Sequence, residues 1–478
     1  MQRSAINLPV VRSWGILRQP KQTKPAPLRA VSVRDSMTTP KMMHLCGFLN
    51  AGPVVHSHAI WRNPAHRTDF LSLAHYSHIA QTLEAGRFDF LFFADRLAIA
   101  DRYGASHVAG IRYGDQDATR MDPLPILGAL AAVTTRIGLG ATRSTSYEAP
   151  YSIAREFATL DHISGGRAAW NVVTSMNDGE ALNFGDVPHL AHDERYDRAD
   201  EFMDVTFKLW KSWDADALVL DREAGIYADP DKVHYLNHQG KWFKSRGPLN
   251  IPRSPQGRPV IVQAGSSGRG KAFAAQWSEV IFALQPNLES MRAFTASVRA
   301  ALTAAGRRPT DSKVLMAIMP FIGASRAEAE EKRDLHDSLV NPVVGLSTLG
   351  AHTNADFSAL PLEADVQALQ SSGSQGNLAA LKSIAAGKSM SLAEAGNIYG
   401  RGVMCPRLVG TAQDIADEMA EILASGVADG FVISPAFLPE TFDEFVDRVV
   451  PLLQAKGLFR RDYEGRTLRD HLGIGTSA

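Results

Sequence analysis

Residues 137–185 read IGLGATRSTSYEAPYSIAREFATLDHISGGRAAWNVVTSMNDGEALNFG. Ile137 to Thr142 is a short apolar run, suited to a strand buried on both faces. Ser144 to Glu148 is polar, and Pro150 suits the first turn of a helix, where its missing N–H is not needed. Ile153, Phe157, Leu160 and Ile163 then keep the three-and-four spacing of one apolar helical face. Gly165-Gly166 ends that helix, because glycine accepts the left-handed backbone of a C′ position. Ala168 to Val173 reads as the next strand, and it releases Thr174, Ser175 and Asn177 at its carboxyl end. Two strands joined by a helix within about 30 residues make a parallel β-α-β unit. An α/β barrel places its chemistry on that carboxyl rim, although an ordinary α/β repeat with polar loops has the same spacing.

Outward from this unit the pattern repeats. Apolar strand-like runs recur near positions 43, 88, 137, 168, 259, 279, 314 and 430, with helical patterns between most of them. The expectation is an α/β fold, a (β/α)8 TIM barrel with long insertions. A doubly wound sheet is the runner-up. It lacks its glycine fingerprint, since Gly138-Leu139-Gly140 is followed by Arg143 rather than a third glycine. Residues 98–121 form an irregular loop too long to be idle. Residues 213–259 read as an excursion with a short hairpin at His238–Lys241. Residues 340–402 break the repeat and read as an insertion over the barrel mouth, with helical pieces near 365–369 and 378–384. His352 then falls in a polar loop.

Composition bounds the function. The chain has 478 residues, 45% hydrophobic and 21% charged, with a net charge of −1. Nothing in that balance favours nucleic acid or an anionic membrane surface, and no apolar run is long enough to span a bilayer. The only cysteines are Cys46 and Cys405. A disulfide framework is not expected, and a reducing cytoplasm fits. Residues 1–36 stand apart as a disordered basic tail, with seven Lys/Arg before the first acid, Asp35. An early start codon or a targeting segment would each account for that tail. Residues 37–478 carry the barrel.

Several constellations bear chemistry. His192 and Tyr196 lie one turn apart at the amino end of a strong helix, whose free N–H groups and partial positive charge suit a phosphate. A capping His and a packing Tyr are the structural alternative. Gly265-Ser-Ser-Gly-Arg-Gly-Lys271 nearly spells a nucleotide-triphosphate loop, but Ala272 stands where the magnesium-binding hydroxyl belongs. The anion-binding physics of a glycine loop between strand and helix survives. Asp95 ends the strand FDFLFFA; it could pair with Arg96, cap the next helix or serve a ligand. His56, His58 and His66 share no tight ligand geometry and no HExxH occurs, so no metal is expected.

These blocks together resemble the bacterial-luciferase-like flavin monooxygenases. Further matching blocks are FFADRL (92–97), HDERYDRADEF (192–202), RSPQGRPVIVQAGSSGRG (253–270), GLSTLGAHT (345–353) and ADGFVISPAFLPETFDEFVDRVVPLLQ (428–454). The branch they resemble acts on nitrilotriacetate, EDTA, pristinamycin and dibenzothiophene sulfone. The resemblance implies reduced FMN, supplied by a separate NAD(P)H:flavin reductase, and O₂ activated as a flavin C4a-hydroperoxide. It implies that Asp95, Thr142, Asn171, His192, Tyr196 and Ser267 hold FMN, Ser267 lying on the phosphate loop. Ser175 and His352 would be catalytic, hydrogen-bonding the peroxide or a substrate oxygen. Phe48, His56, Phe92 and Phe282 would form an aromatic substrate cavity. The expected substrate is an organosulfur heteroaromatic such as dibenzothiophene sulfone, cleaved at a C–S bond. An aminopolycarboxylate is the alternative, and would call on Arg96, Arg143 and Arg269. A non-catalytic flavin-binding protein and deazaflavin-dependent hydride transfer are the other classes. A homodimer or homotetramer is expected.

Overall fold

The computed structural model describes residues 42–65, 69–185, 189–368, 381, 382, 384 and 389–475. The basic tail at 1–36, His66 and most of the helical piece expected at 378–384 lie outside the described residues. Eight strands form a closed parallel barrel: β1 (His44–Asn50), β2 (Phe90–Ala94), β3 (Gly138–Ser144), β4 (Ala168–Val173), β5 (Val260–Gln263), β6 (Val280–Ala283), β7 (Lys313–Gly323) and β8 (Gly430–Ile433). Each pairs with its chain neighbour. The ring closes where β8 meets β1, with His44 opposite Gly430. Every strand expected from the sequence is present, within about two residues at its start.

The helices that follow the strands are α1 (Leu73–Ala85), α2 (Pro123–Val133), α3 (Pro150–Ser164), α4 (His192–Trp210), α5 (Gly268–Trp277), α6 (Leu288–Ala304) and α7 (Ala412–Ala424). A last helical run continues from Glu440–Glu444 through Phe445–Val449 to Val450–Ala455. The β3-α3-β4 unit shows the logic. Pro150 occupies the first turn of α3, and Gly165 caps it with φ 70°. Ile153, Phe157 and Leu160 are buried, but Ile163 is 58% exposed, off the edge of the apolar face. Phe157 packs on Trp170 of β4, ring centroids 5.6 Å apart. Truncating Phe157 to Ala would cost about 3–5 kcal/mol.

The structure departs from the sequence reading in the connections. The loop at 98–121 holds a short helix, Val108–Tyr113. The glycine stretch 265–271 is only partly loop, because α5 already begins at Gly268. A strand at Arg407–Thr411 was not expected; it pairs with the outer half of the eleven-residue β7. Residues 342–353 form a buried helix rather than a polar loop, so His352 sits on a helix and is buried. That helix packs against Leu392–Gly400 so closely that a Cβ on Gly345 would lie 1.8 Å from the Gly396 carbonyl oxygen. The excursion contains the hairpin His238–Gln239/Lys244–Ser245 and a second one, Leu218–Asp221/Ile226–Ala228. Among the described residues, no helix is long and apolar enough to cross a membrane.

Candidate active site

A cavity of about 1060 Å³ opens at the carboxyl ends of β2 to β6. That size suits a cofactor plus a small substrate. Asp95, Thr142, Ser175, His192, Tyr196 and Ser267 all line it. Residues from five strands and three helices, far apart in sequence, therefore converge on one space.

One side of the cavity is built for an anion. His192 and Tyr196 stack one turn apart on α4, ring centroids 5.2 Å apart. Ser267 is the N-cap of α5, its Oγ accepting from Gly270 N at 2.9 Å. Gly270 is needed there, because a Cβ would approach the Tyr196 hydroxyl to 2.8 Å. The first N–H groups of α5 thus face the cavity beside the Tyr196 ring. Burial raises the Tyr196 pKa above its ordinary value, and its bonds with Thr174 and Ser267 only partly offset this. The phenol stays a donor. Lys271 and Arg195 complete this side, and the sequence reading did not place either in the site. Lys271 Nζ donates to Ser297 Oγ at 3.2 Å. Arg195 donates to His189 Nε2 at 3.0 Å and to the Leu190 carbonyl, while its Nε is buried without a partner. Neither cation has a carboxylate partner among the described residues.

The floor is neutral and polar. Asn171 Nδ2 donates to Thr142 Oγ1 at 2.8 Å, and Thr142 donates to the Phe93 carbonyl at 2.9 Å. Asn171 Oδ1 is buried with no partner. A buried acceptor left open costs about 1–3 kcal/mol, so an incoming N–H is favoured there. Asn171 is not itself among the cavity-lining residues; it stands behind Thr142. Ser175 adopts φ 44°, strained for a non-glycine residue, and its Oγ lies 2.9 Å from Ser144 Oγ.

The opposite side carries the charges. Asp95 lies 3.4 Å from Arg143, which also binds Asp122 at 2.6 Å. Burial drives the Asp95 pKa up to about 6, and Arg120 and Arg143 fail to cancel it. Arg96 and Arg120 share Asp117, at 3.1 and 2.8 Å. Arg269 pairs with Asp197 and Asp200 and lies over the Tyr196 ring.

The remaining expected residues do not line this cavity. Phe48, His56, Phe92 and Phe282 pack on one another, with Phe48–His56 centroids 4.3 Å apart, Phe48–Phe92 5.0 Å and Phe48–Phe282 5.6 Å. His56 Nδ1 pairs with Ser434 Oγ at 2.9 Å. Burial, helped by Arg120, lowers its pKa to about 3, so the ring is neutral. His352 is held between Tyr399 through Nδ1 and Gln116 through Nε2, the latter at 3.0 Å. Burial holds its pKa well below the ordinary value, with Arg96 and His56 adding to the effect. His58 binds Thr348 at 2.8 Å rather than joining His56. Among the described residues no three His, Cys, Asp or Glu gather as a metal site.

Comparison with known proteins agrees with this geometry. Residues 55–429 match the family described as luciferase-like monooxygenase. The chain is 51% identical over 443 residues to a dibenzothiophene-sulfone monooxygenase of Rhodococcus erythropolis (strain XP), covering 92% of this chain and 98% of the relative. The solved structure of DmoA from Hyphomicrobium sulfonivorans superposes with a TM-score of 0.85 at 36% identity, covering 91% of this chain and 93% of that one. A riboflavin lyase, solved with modified FMN and its substrate riboflavin, gives 0.84 at 35% identity, over 91% and 97% of the two chains. Barrel, rim cavity and extent of likeness agree: the chain belongs to the luciferase-like monooxygenases.

Proposed function

We propose that the chain is a reduced-FMN-dependent monooxygenase that oxidises an organosulfur heteroaromatic such as dibenzothiophene sulfone, with cleavage of a C–S bond. FMN suits the donor set. Lys271, Arg195, Ser267, Tyr196 and the N–H groups opening α5 would hold its phosphate, with His192 beside them. The open Asn171 acceptor, with Thr142, would meet an N–H of the ring. Asp95 would contact the flavin from the opposite side. When bound, the reduced cofactor supplies the two electrons that send one oxygen atom of O₂ into substrate and the other into water. The protein binds, orients and excludes water. Ser175 would hydrogen-bond the oxygen being transferred. His352, neutral and fixed by Tyr399 and Gln116, would orient substrate. No dinucleotide fingerprint is present, which supports a separate NAD(P)H:flavin reductase as electron source.

The observation that carries the substrate class is how the cations are committed. Arg96, Arg143 and Arg269 are each paired with carboxylates. Lys271 and Arg195 stand on the anion side, and a phosphate monoester carries about −1.5 to −2. The phosphate uses both. No comparable set is left for a tricarboxylate, while Phe48, Phe92 and Phe282 offer an apolar wall to a flat uncharged ring. The test supplies the purified chain with NADH, FMN, a generic flavin reductase and isotope-labelled dioxygen. Dibenzothiophene sulfone should be consumed with one labelled atom per product, and nitrilotriacetate left intact. Oxidation of nitrilotriacetate alone would refute the substrate class. FMN binding with no label incorporated in either would refute catalysis.

A further inference from the structure

The carboxyl rim of β4 carries a buried acid that no step above uses. Glu180 sits on the short helix Asp178–Ala181, is buried, and lines the cavity next to Ser175 and Ser144. Its carboxyl hydrogen-bonds the Ser175 hydroxyl. The loop that presents both residues is held firmly. Asn177 caps the helix by accepting from Gly179 N at 2.8 Å. Gly179 packs beside Asp101, and Arg102 pairs with Asp178.

The hydrogen bonds through Ser175 have a direction. Ser146 N donates to Ser144 Oγ at 3.0 Å, so the Ser144 proton is available to Ser175 Oγ, 2.9 Å away. A carboxylate at Glu180 has no proton to give, so Ser175 must donate to it. The chain then runs Ser146, Ser144, Ser175, Glu180, and Ser175 shows only a lone pair to the cavity. A protonated Glu180 reverses the last link. It donates to Ser175 Oγ, and the Ser175 proton is released toward the cavity. Chains of this kind polarise one another, so the two arrangements are distinct.

We infer that Glu180 is a positioning residue whose proton decides whether Ser175 donates into the oxygenation site. The inference rests on the flavin-oxygenase reading of this cavity. Burial raises the Glu180 pKa from its ordinary value. Arg96 and Arg120 oppose that rise, the bond from Ser175 also opposes it, and Asp117 adds to it. Tyr147 and Arg195 face the same carboxyl from the neighbouring elements. As pH rises, Glu180 ionises and Ser175 turns away. Oxygenation should therefore fall, and hydrogen peroxide should leak in its place.

Two measurements test this. The first is the ratio of product to hydrogen peroxide against pH. In the wild type it should fall with a one-proton slope, about tenfold per pH unit beyond the midpoint. Glu180→Gln cannot ionise and keeps a donor on Ser175, so its ratio should stay flat and high. Ser175→Ala should be low throughout. The second uses the apoprotein and needs no turnover. Infrared difference spectra should show a carboxylic-acid carbonyl band that disappears as pH rises above the usual glutamate range of about 4.3. The band should be absent in Glu180→Gln and shifted in Ser175→Ala. A wild-type pH limb retained in Glu180→Gln, or no such band, would overturn the inference. A band that titrates and shifts in Ser175→Ala supports the Glu180–Ser175 link even if no sulfone is oxidised; only the substrate reading then falls.

Discussion

Strand β2 has an aspartate at each end, and the two live in opposite worlds. Asp89 precedes the strand, buried, bound to His44 at 2.9 Å, to Arg460 and to Leu45 N at 2.8 Å. Burial alone would raise its pKa, but Arg460 and His44 hold it below the ordinary value. Asp95 follows the strand and is equally hidden from water, yet its pKa is driven up to about 6. The same contrast holds around the barrel. At the amino ends, Glu279 is clamped by Arg258 and Arg469, and Arg167 donates to four backbone carbonyls and to Thr134. At the carboxyl ends, Asn171 Oδ1 and Arg195 Nε have no partner at all. One end spends its polar groups on holding the fold; the other keeps them incomplete, as a binding site must.

The largest expected effect lies at the amino end. Glu279→Ala leaves Arg469 and Arg258 buried without their carboxylate, a loss of about 3–5 kcal/mol. Urea unfolding should show it, while FMN affinity of the folded fraction stays at the wild-type value. A matching loss of FMN affinity would break the division between the two ends.

At the other end of β2 the sign reverses. Folded Asp95 binds its proton more tightly than unfolded Asp95 does. Its contribution to stability is therefore fully present below the ordinary carboxylate range and lost as pH rises through about 6. A shift of about two units corresponds to at most about 3 kcal/mol. Asp95→Asn should remove that decline and make the apoprotein more stable near neutrality, at the cost of flavin affinity. Melting temperatures between about pH 4 and about pH 7 would decide, and an unchanged pH slope would disprove the assignment.

How much of this was legible in the sequence follows the same division. Apolar strands buried on both faces announce themselves as runs, and Pro150 and Gly165 mark the ends of α3, so the barrel could be read. Asp95, His192, Tyr196 and Ser267 each sit at a strand end or a helix start, where a position in sequence translates into a position on the rim. Lys271 and Arg195 reach the cavity only through the packing of α4 and α5, and nothing local signals that. Lys271 was visible in the glycine loop, but the failed nucleotide motif drew attention away from it. The helix Pro342–Thr353 was read as loop because it is buried on every side. With no polar face it has no 3.6-residue period to detect. The strand Arg407–Thr411 exists only because β7 runs on past the barrel.

The anion side offers a finer test. Lys271→Ala removes one charge from the phosphate end and leaves the Asn171–Thr142 floor alone. A charge-assisted bond is worth about 1.5–3 kcal/mol, so FMN should bind about 10- to 100-fold more weakly. Riboflavin, which has no phosphate, should bind as before. Equal losses for both ligands would place Lys271 against the ring instead.

The smallest effect probes the border between the two kinds of polar group. His352 is buried like the amino-end residues but belongs to the helix beside the cavity. Its Nε2 faces the Gln116 amide, which donates, so Nδ1 carries the ring proton toward Tyr399. Tyr399→Phe leaves that N–H without its acceptor, a loss of about 1 kcal/mol. If His352 is purely structural, the cost appears in stability alone and turnover is untouched. If its ring orients substrate, KM for the sulfone should rise several-fold while FMN affinity stays constant, because no flavin-facing group has moved. A stability loss with unchanged KM would return His352 to the scaffold and leave Ser175 alone as the residue facing the transferred oxygen.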